Sequence, residues 1–355
     1  MALLQQDVRL ADLTTLRLGG PAAKIVHAST ADELVATVRD CDERGEPVLV
    51  LSGGSNVVVA DEGFDGTVVR VGVQGVEVDA AGCAADDLAA CGGVIVTVAA
   101  GETWDDLIVR SLAEGWTGIE ALSGIPGGVG ATPMQNVGAY GQEVAQTIWA
   151  VRTYDRAAGA VRTFANADCG FGYRTSRFRG HDRFVVLAVS YQLRQGSLSG
   201  PVRYAELARA LGIQVGERAP ARAVREAVLA LRRRKGMVID ETDHDTWSAG
   251  SFFTNPILDQ GDAVELPADA PRWPLPDGRV KTSAAWLIEH AGFFRGYPGP
   301  GGRVTLSGKH ALALTNRGSA TTADLLDLAR EVRDGVRAAL DVELALEPVL
   351  VGCAL

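Results

Sequence analysis

The chain of 355 residues is 47% apolar and 22% charged, with a formal charge of −10. A chain of this length outgrows one small core, so two or three domains are expected. The acidic balance excludes a nucleic-acid scaffold, which needs a basic face to meet phosphates, but leaves room for local basic patches such as Arg232-Arg233-Arg234-Lys235. No apolar run reaches the roughly eighteen residues of a membrane span, and the opening MALLQQDVRLADLT lacks the basic-then-apolar order of a secretory signal. Cys41, Cys83, Cys91, Cys169 and Cys353 are scattered and form no CxxC pair. They are expected to be reduced thiols of a cytoplasmic protein rather than a disulfide frame or zinc site.

In chain order, residues 22–28 read as a strand, and Thr30-Ala31-Asp32-Glu33 is a capping-box pattern opening a helix through residue 43. Residues 48–51 form a buried strand ending in a GGSN turn; 57–59 and 67–71 are further strands, set apart by Gly63 and Gly66. Short strands follow at 76–78 and 94–98. Thr103 then caps an amphipathic helix whose apolar side is Leu107, Ile108, Leu112 and Ala113. Beyond a long glycine-rich stretch come strands at 148–154, 160–164 and 183–193, with FGYRTSRF at 171–178 between the last two.

The QGSLSGP run at 195–201 marks a shift in composition, Tyr204 heads a short helix, and 221–235 is a long basic helix. The loop that follows carries Asp243-His244-Asp245, but no second histidine-carboxylate cluster stands at ligand spacing, so no metal site is expected. A proline-rich span at 267–276 leads to a helix at 283–292 and a hairpin of 304–306 with 311–315. Thr321 opens the last helix, with Leu325, Leu328, Ala329, Val332, Val336 and Leu340 on its buried side. Residues 342–346 are strand-like and lead into Glu347, a carboxylate in an apolar terminal stretch that needs a reason to be there.

The stretch at 118–141, GIEALSGIPGGVGATPMQNVGAYG, holds seven glycines and two prolines. Glycine lets backbone come close to a ligand, and so long a loop is uncommon unless it is functional or disordered. Ile119, Leu122, Ile125, Val129, Met134 and Val137 anchor it, so an ordered loop wrapped around a ligand is expected. Backbone amides here and in the GGSN turn suit phosphate. The usual nucleotide signatures are missing: no Gly-x-Gly-x-x-Gly opens a helix, and GRVTLSGKH at 302–310 has five residues between its glycines and His310 where a P-loop needs Ser or Thr. Neither a Gly-x-Ser-x-Gly elbow nor HExxH occurs.

Five segments stand together in order: LSGGSN at 51–56, SGIPGGVGATPMQNVGAYG at 123–141, FGYRTSRF at 171–178, GSFFTNP at 250–256 and LEP at 346–348. Through them the chain resembles the UDP-N-acetylenolpyruvoylglucosamine reductases, in the larger of the two types, whose tyrosine-bearing loop closes on the sugar nucleotide. The resemblance implies an α+β fold of the FAD-binding PCMH type, with two subdomains like those of vanillyl-alcohol oxidase, and an α/β substrate-binding domain. The expected division is 1–72 and 73–215 for the FAD subdomains (the PCMH-type region about 14–195), 216–340 for the substrate domain, and 341–355 returning to the site.

The implied activity is reduction of the enolpyruvyl ether of UDP-N-acetylglucosamine to UDP-N-acetylmuramate for peptidoglycan. NADPH is the co-substrate, and tightly but non-covalently bound FAD passes hydride through N5. By resemblance Ser251 protonates the substrate carbon, while Arg174 and Glu347 hold its carboxylate and the charge that develops there. FAD is assigned to Ser52, Gly53, Gly54, Ser55 and Asn56, to Gly124, Ile125, Pro126, Gly127 and Gly130, and to Gln135, Asn136, Gly138, Ala139 and Tyr140. Substrate is assigned to Tyr173, Tyr204, Arg232, Lys235, Asn255 and His310. No metal, nucleic acid, membrane or obligate protein partner is implied. A flavin oxidase of the same superfamily and a non-catalytic sugar-nucleotide binder are the alternatives.

Overall fold

The computed structural model describes residues 3–5, 8–79 and 93–355. It forms two compact units. The first gathers Ala23–Gly53 and Asp65–Arg233 with the N-terminal strand Leu3–Gln5. The second gathers Asp7–Ala22, Gly54–Phe64 and Arg234–Leu355. The first unit therefore runs past the composition shift at 195–201, and the second takes in two early segments of the chain.

The first unit holds two sheets. A four-stranded sheet has the order Leu3–Gln5, Ala22–Ala28, Phe64–Val71, Val48–Leu51, the last pair parallel. Helix α1, Ala31–Arg44, packs Leu34 and Val38 into a cluster with Val69, Val185 and Leu187. Its N-cap is Thr30, whose hydroxyl accepts the Glu33 amide at 3.1 Å, while the Glu33 carboxylate accepts the Ser29 amide at 3.0 Å. The second sheet runs Ala160–Ala165, Ile148–Asp155, Phe184–Gln195, Val94–Ala99, Val76–Asp79, all antiparallel, with Trp116–Thr117 paired to the long central strand. Alternation places Val94, Val96 and Val98 inward against α2, Trp104–Ala113, with Trp104, Leu107 and Ile108. Two more helices, α3 (Ala205–Leu211) and α4 (Ala221–Arg234), close a small cluster of Leu207, Val224, Val228 and Leu231 over Ala121.

The second unit is built on α7, after the short helices α5 (Gln260–Glu265) and α6 (Ala284–His290). Helix α7, Thr322–Leu340, opens with a complete Thr321–Asp324 capping box and buries Leu325, Leu328, Ala329, Val332 and Val336, with Leu340 partly covered. The hairpin Val304–Leu306 with Leu314–Asn316 and the parallel pair Val57–Val59 with Val349–Val351 pack on the same core.

Several expectations need correction. Gly66 lies inside the strand Phe64–Val71 instead of separating two strands. Thr103 sits at the N-cap of α2 but its side chain caps nothing; the Trp104 amide is satisfied instead by the Gly127 carbonyl at 3.0 Å. Ala113 is exposed, and Trp104 and Ser111 complete the buried face. The proline-rich span contains the short strand Arg272–Pro274. Residues 342–346 form no strand: Leu346 makes a single bridge to Phe253, and Pro348, lacking an N–H, interrupts pairing before Val349–Val351. Cys41 and Cys169 are buried free thiols and Cys353 is a half-buried one, burial pushing the Cys169 thiol up to about 11; Cys83 and Cys91 lie outside the described residues.

In the second sheet the Asp155 side chain is fully buried and takes two 2.8 Å bonds from Arg183. Those bonds outweigh burial and lower its pKa from 3.8 to about 2. A depressed carboxylate stabilises the fold above its unfolded pKa, and that contribution disappears as pH falls through the folded one. Asp155→Asn should therefore lower stability at neutral pH and flatten the loss of stability between pH 3.8 and about 2 in urea titrations.

Candidate active site

The glycine-rich stretch 118–141 is ordered. It contains the 3-10 turns Glu120–Leu122 and Val129–Ala131 and the short strand Gly138–Ala139, and it is anchored by fully buried Leu122 and Val129. At its centre it runs against the turn after Val48–Leu51. A Cβ on Gly53 would stand 2.7 Å from the Gly127 Cα, and Gly127 itself has φ of 115°, so neither position takes a side chain without displacing backbone. The amides of Val129 and Gly130 donate to the Glu102 and Ala100 carbonyls at 2.8 and 2.9 Å. Those of Ile125, Gly127 and Gly128 donate to no protein acceptor among the described residues. A side-chain-free cradle with uncommitted amides fits a dinucleotide diphosphate.

The FGYRTSRF segment docks on the far end of this stretch. Gly172 and Thr175 pair across a tight turn, so Tyr173 and Arg174 occupy its tip. The Arg174 guanidinium donates to the Gly138 carbonyl at 3.0 Å and lies 5.6 Å from the Tyr173 ring centroid. Asn136 is 1% exposed, and its amide is committed to Glu143, to the Gly172 carbonyl and to the Ala145 amide at 2.9–3.1 Å. Asn136 therefore braces the turn that carries Arg174. Asn136, Tyr140 and Arg174 have φ of 48–50°, a left-handed conformation costing a non-glycine residue about 1–3 kcal/mol. Three such residues in one neighbourhood mark a site whose geometry is imposed by its surroundings.

Tyr140 meets Tyr204 edge-to-face with centroids 5.5 Å apart, and Tyr204 is itself exposed at the head of α3. Arg232, on α4, is held down to about 10 by burial, with Tyr140 and Asp105 opposing that shift. Gln135, Ile125, Pro126 and Ala139 are half-buried along the loop.

In the second unit Ser251 and Glu347 occupy adjacent segments. Phe252 and Phe253 are fully buried, and the Glu347 amide donates to the Phe252 carbonyl at 3.0 Å. The Thr254 amide donates to the Ala345 carbonyl at 2.9 Å. On the other side, the Asn56 side chain donates to the Glu347 carbonyl at 3.3 Å and the Asn56 carbonyl accepts from Val349. Glu347, 9% exposed, is thus fixed between the Ser251 segment and Asn56. Asn56 was assigned to the cofactor; here it also positions Glu347. Asn255 accepts the Ala284 amide at 3.0 Å, placing it at the start of α6. His310 and Lys235 are half-buried in this unit, and Gly54 is packed against the Leu13 carbonyl, which a Cβ would meet at 1.9 Å. The carboxylates of Asp243 and Asp245 are engaged by Lys309 and by Gly308 and Arg317.

Two carboxylates escaped the sequence reading. Glu120, 1% exposed, accepts from Gly118, Gln142 and Gly200 at 2.6, 3.1 and 3.3 Å. Asp105 accepts the Gly124 amide at 2.7 Å and a bidentate Arg225. Their only local signals were an acidic residue inside a glycine loop and one in the first turn of α2.

Fold and cradle define an FAD-binding oxidoreductase: residues 22–165 match the family model described as FAD binding domain, and 241–351 match that of the UDP-N-acetylenolpyruvoylglucosamine reductase C-terminal domain. The chain is 55% identical to the UDP-N-acetylenolpyruvoylglucosamine reductase of Thermobifida fusca, covering 99% of this chain and 98% of that protein. It is 56% identical to the one of Saccharopolyspora erythraea, covering 98% and 95%. The crystal structure of the corresponding reductase from Thermus caldophilus matches over 99% of this chain and 100% of that one, with 26% identity and a TM-score of 0.66. The chain belongs to the UDP-N-acetylenolpyruvoylglucosamine reductase family. Among the described residues no helix is long and apolar enough to cross a membrane.

Gly53→Ala should leave the far-UV circular dichroism unchanged while the FAD retained through purification falls roughly tenfold or more, since the new methyl enters the Gly127 backbone.

Proposed function

We propose that the protein reduces the enolpyruvyl ether of UDP-N-acetylglucosamine to UDP-N-acetylmuramate, with NADPH as electron donor. The observation that carries this reading is the pairing of the Ser251 segment with Glu347 through main-chain hydrogen bonds: a hydroxyl and a buried carboxyl group on neighbouring irregular segments, anchored by Phe252 and Phe253. FAD, when bound, supplies the hydride relay between NADPH and the methylene carbon of the substrate. Ser251 gives its hydroxyl proton to the adjacent carbon as negative charge builds there. Serine alone is a weak acid, so the transfer depends on polarisation of the hydroxyl by the groups around it.

Glu347 faces the substrate carboxylate. Two carboxyl groups share a site only if one of them carries a proton. Arg174 presents planar donors suited to a carboxylate, with its turn fixed by Asn136 and its guanidinium steadied on Gly138. Tyr204, Arg232 and Lys235 are the residues proposed for the uridine diphosphate portion, Arg232 offering a planar guanidinium suited to phosphate. Tyr173, Asn255 and His310 complete the substrate contacts. The protein works on small molecules, and the cytoplasm is the proposed compartment.

Ser251→Ala should leave reduction by NADPH within about twofold of wild type and slow anaerobic reoxidation by the enolpyruvyl substrate by about 100-fold or more, as loss of one positioned proton donor does. Stopped-flow absorbance of the two half-reactions measures both. Equal slowing of the two would contradict the role given to Ser251.

A further inference from the structure

Asp105 sits on α2 and joins two elements that carry assigned ligand-binding residues, the flavin loop and α4. Its Oδ1 accepts the Gly124 amide at 2.7 Å, at the entrance of the flavin loop. Both its oxygens accept from Arg225, at 2.6 and 2.8 Å, in the fork geometry that makes arginine–carboxylate pairs strong. Arg225 lies on α4, and Arg232, seven residues further, is on the same side of that helix two turns away. The Asp105 and Arg225 side chains are 31% and 17% exposed, so water screens the pair only partly. Burial works to raise the Asp105 pKa, but the Arg225 and Gly124 bonds prevail and leave it below its ordinary value, with Arg232 adding to the same effect.

We propose that Asp105 is a positioning residue that couples nucleotide binding on α4 to the flavin loop: the carboxylate that sets the direction of the Gly124 amide also fixes, through Arg225, the helix that presents Arg232 to a diphosphate. A diphosphate drawing Arg232 toward itself shifts α4, and the bidentate pair transmits that shift to Gly124 because neither partner can rotate without breaking a bond. Coupling of this kind is reciprocal, with occupancy of the flavin cradle tightening diphosphate binding and diphosphate binding altering the flavin environment. The inference rests on the reading of α4 as the diphosphate-binding helix.

The test titrates UDP into the FAD-loaded protein, following affinity by calorimetry and the flavin environment by visible difference spectroscopy. Wild type should bind UDP and show a flavin difference spectrum. Asp105→Asn and Arg225→Met should each lose most of the spectral amplitude at saturating UDP and weaken UDP roughly tenfold, the double variant being no worse than either alone. Arg225→Lys keeps the charge but not the fork and should fall between. Full spectral amplitude in saturated, folded Asp105→Asn, or UDP binding to wild type without any flavin change, would overturn the coupling alone. Failure of wild-type holoenzyme to bind UDP would overturn the reading of α4 and the coupling with it.

Discussion

The first unit depends on one contact, the approach of the Gly53 and Gly127 backbones to a separation that leaves no room for a Cβ. With that approach fixed, the carbonyl of Gly127 becomes the acceptor that starts α2, replacing the side-chain cap that Thr103 does not provide. The next residues of the loop are tied to the Ala100 and Glu102 carbonyls at the end of the central sheet. A cradle lined by main-chain amides is thus bolted to a sheet and a helix, which is what a cofactor site requires if its donors are to be preorganised. The conformational cost of so much glycine is met by burial of the loop's apolar anchors, Ile119, Leu122 and Val129, each 0–1% exposed.

The second unit solves a different problem, placing a carboxyl group where water is scarce. Single main-chain bonds from 252–254 to 345–347, and from Asn56 to Glu347 and Val349, hold the terminal segment without a continuous ladder. Pro348 would break any such ladder. The result frees the residues on either side to face a ligand instead of a neighbouring strand. Residues 56, 251 and 347 come from widely separated parts of the chain and meet only through tertiary folding.

Much of this was legible in sequence because its causes are local. The Thr321 capping box, the buried periodicity of α7 and the alternation of the long strands follow from side-chain chemistry within a few residues. The glycine motifs announced close backbone approach, though not to what. The Asp105–Arg225 pair, 120 residues apart, and the Glu120–Gly200 bond, 80 apart, have no local signature. Residues 342–346 misled because an apolar run fits a buried irregular segment as well as a strand. Ala113 misled because the apolar arc of α2 is completed by Trp104 at the other end of the helix.

Electrons entering from NADPH leave on the enolpyruvyl carbon. Anaerobic mixing of the prereduced protein with one equivalent of the enolpyruvyl ether of UDP-N-acetylglucosamine tests it most directly. Full return of the oxidised flavin spectrum within the mixing experiment, with formation of one equivalent of UDP-N-acetylmuramate, is the predicted result. Flavin that stays reduced under these conditions and reoxidises only when oxygen is admitted would contradict the account and mark the protein as an oxidase.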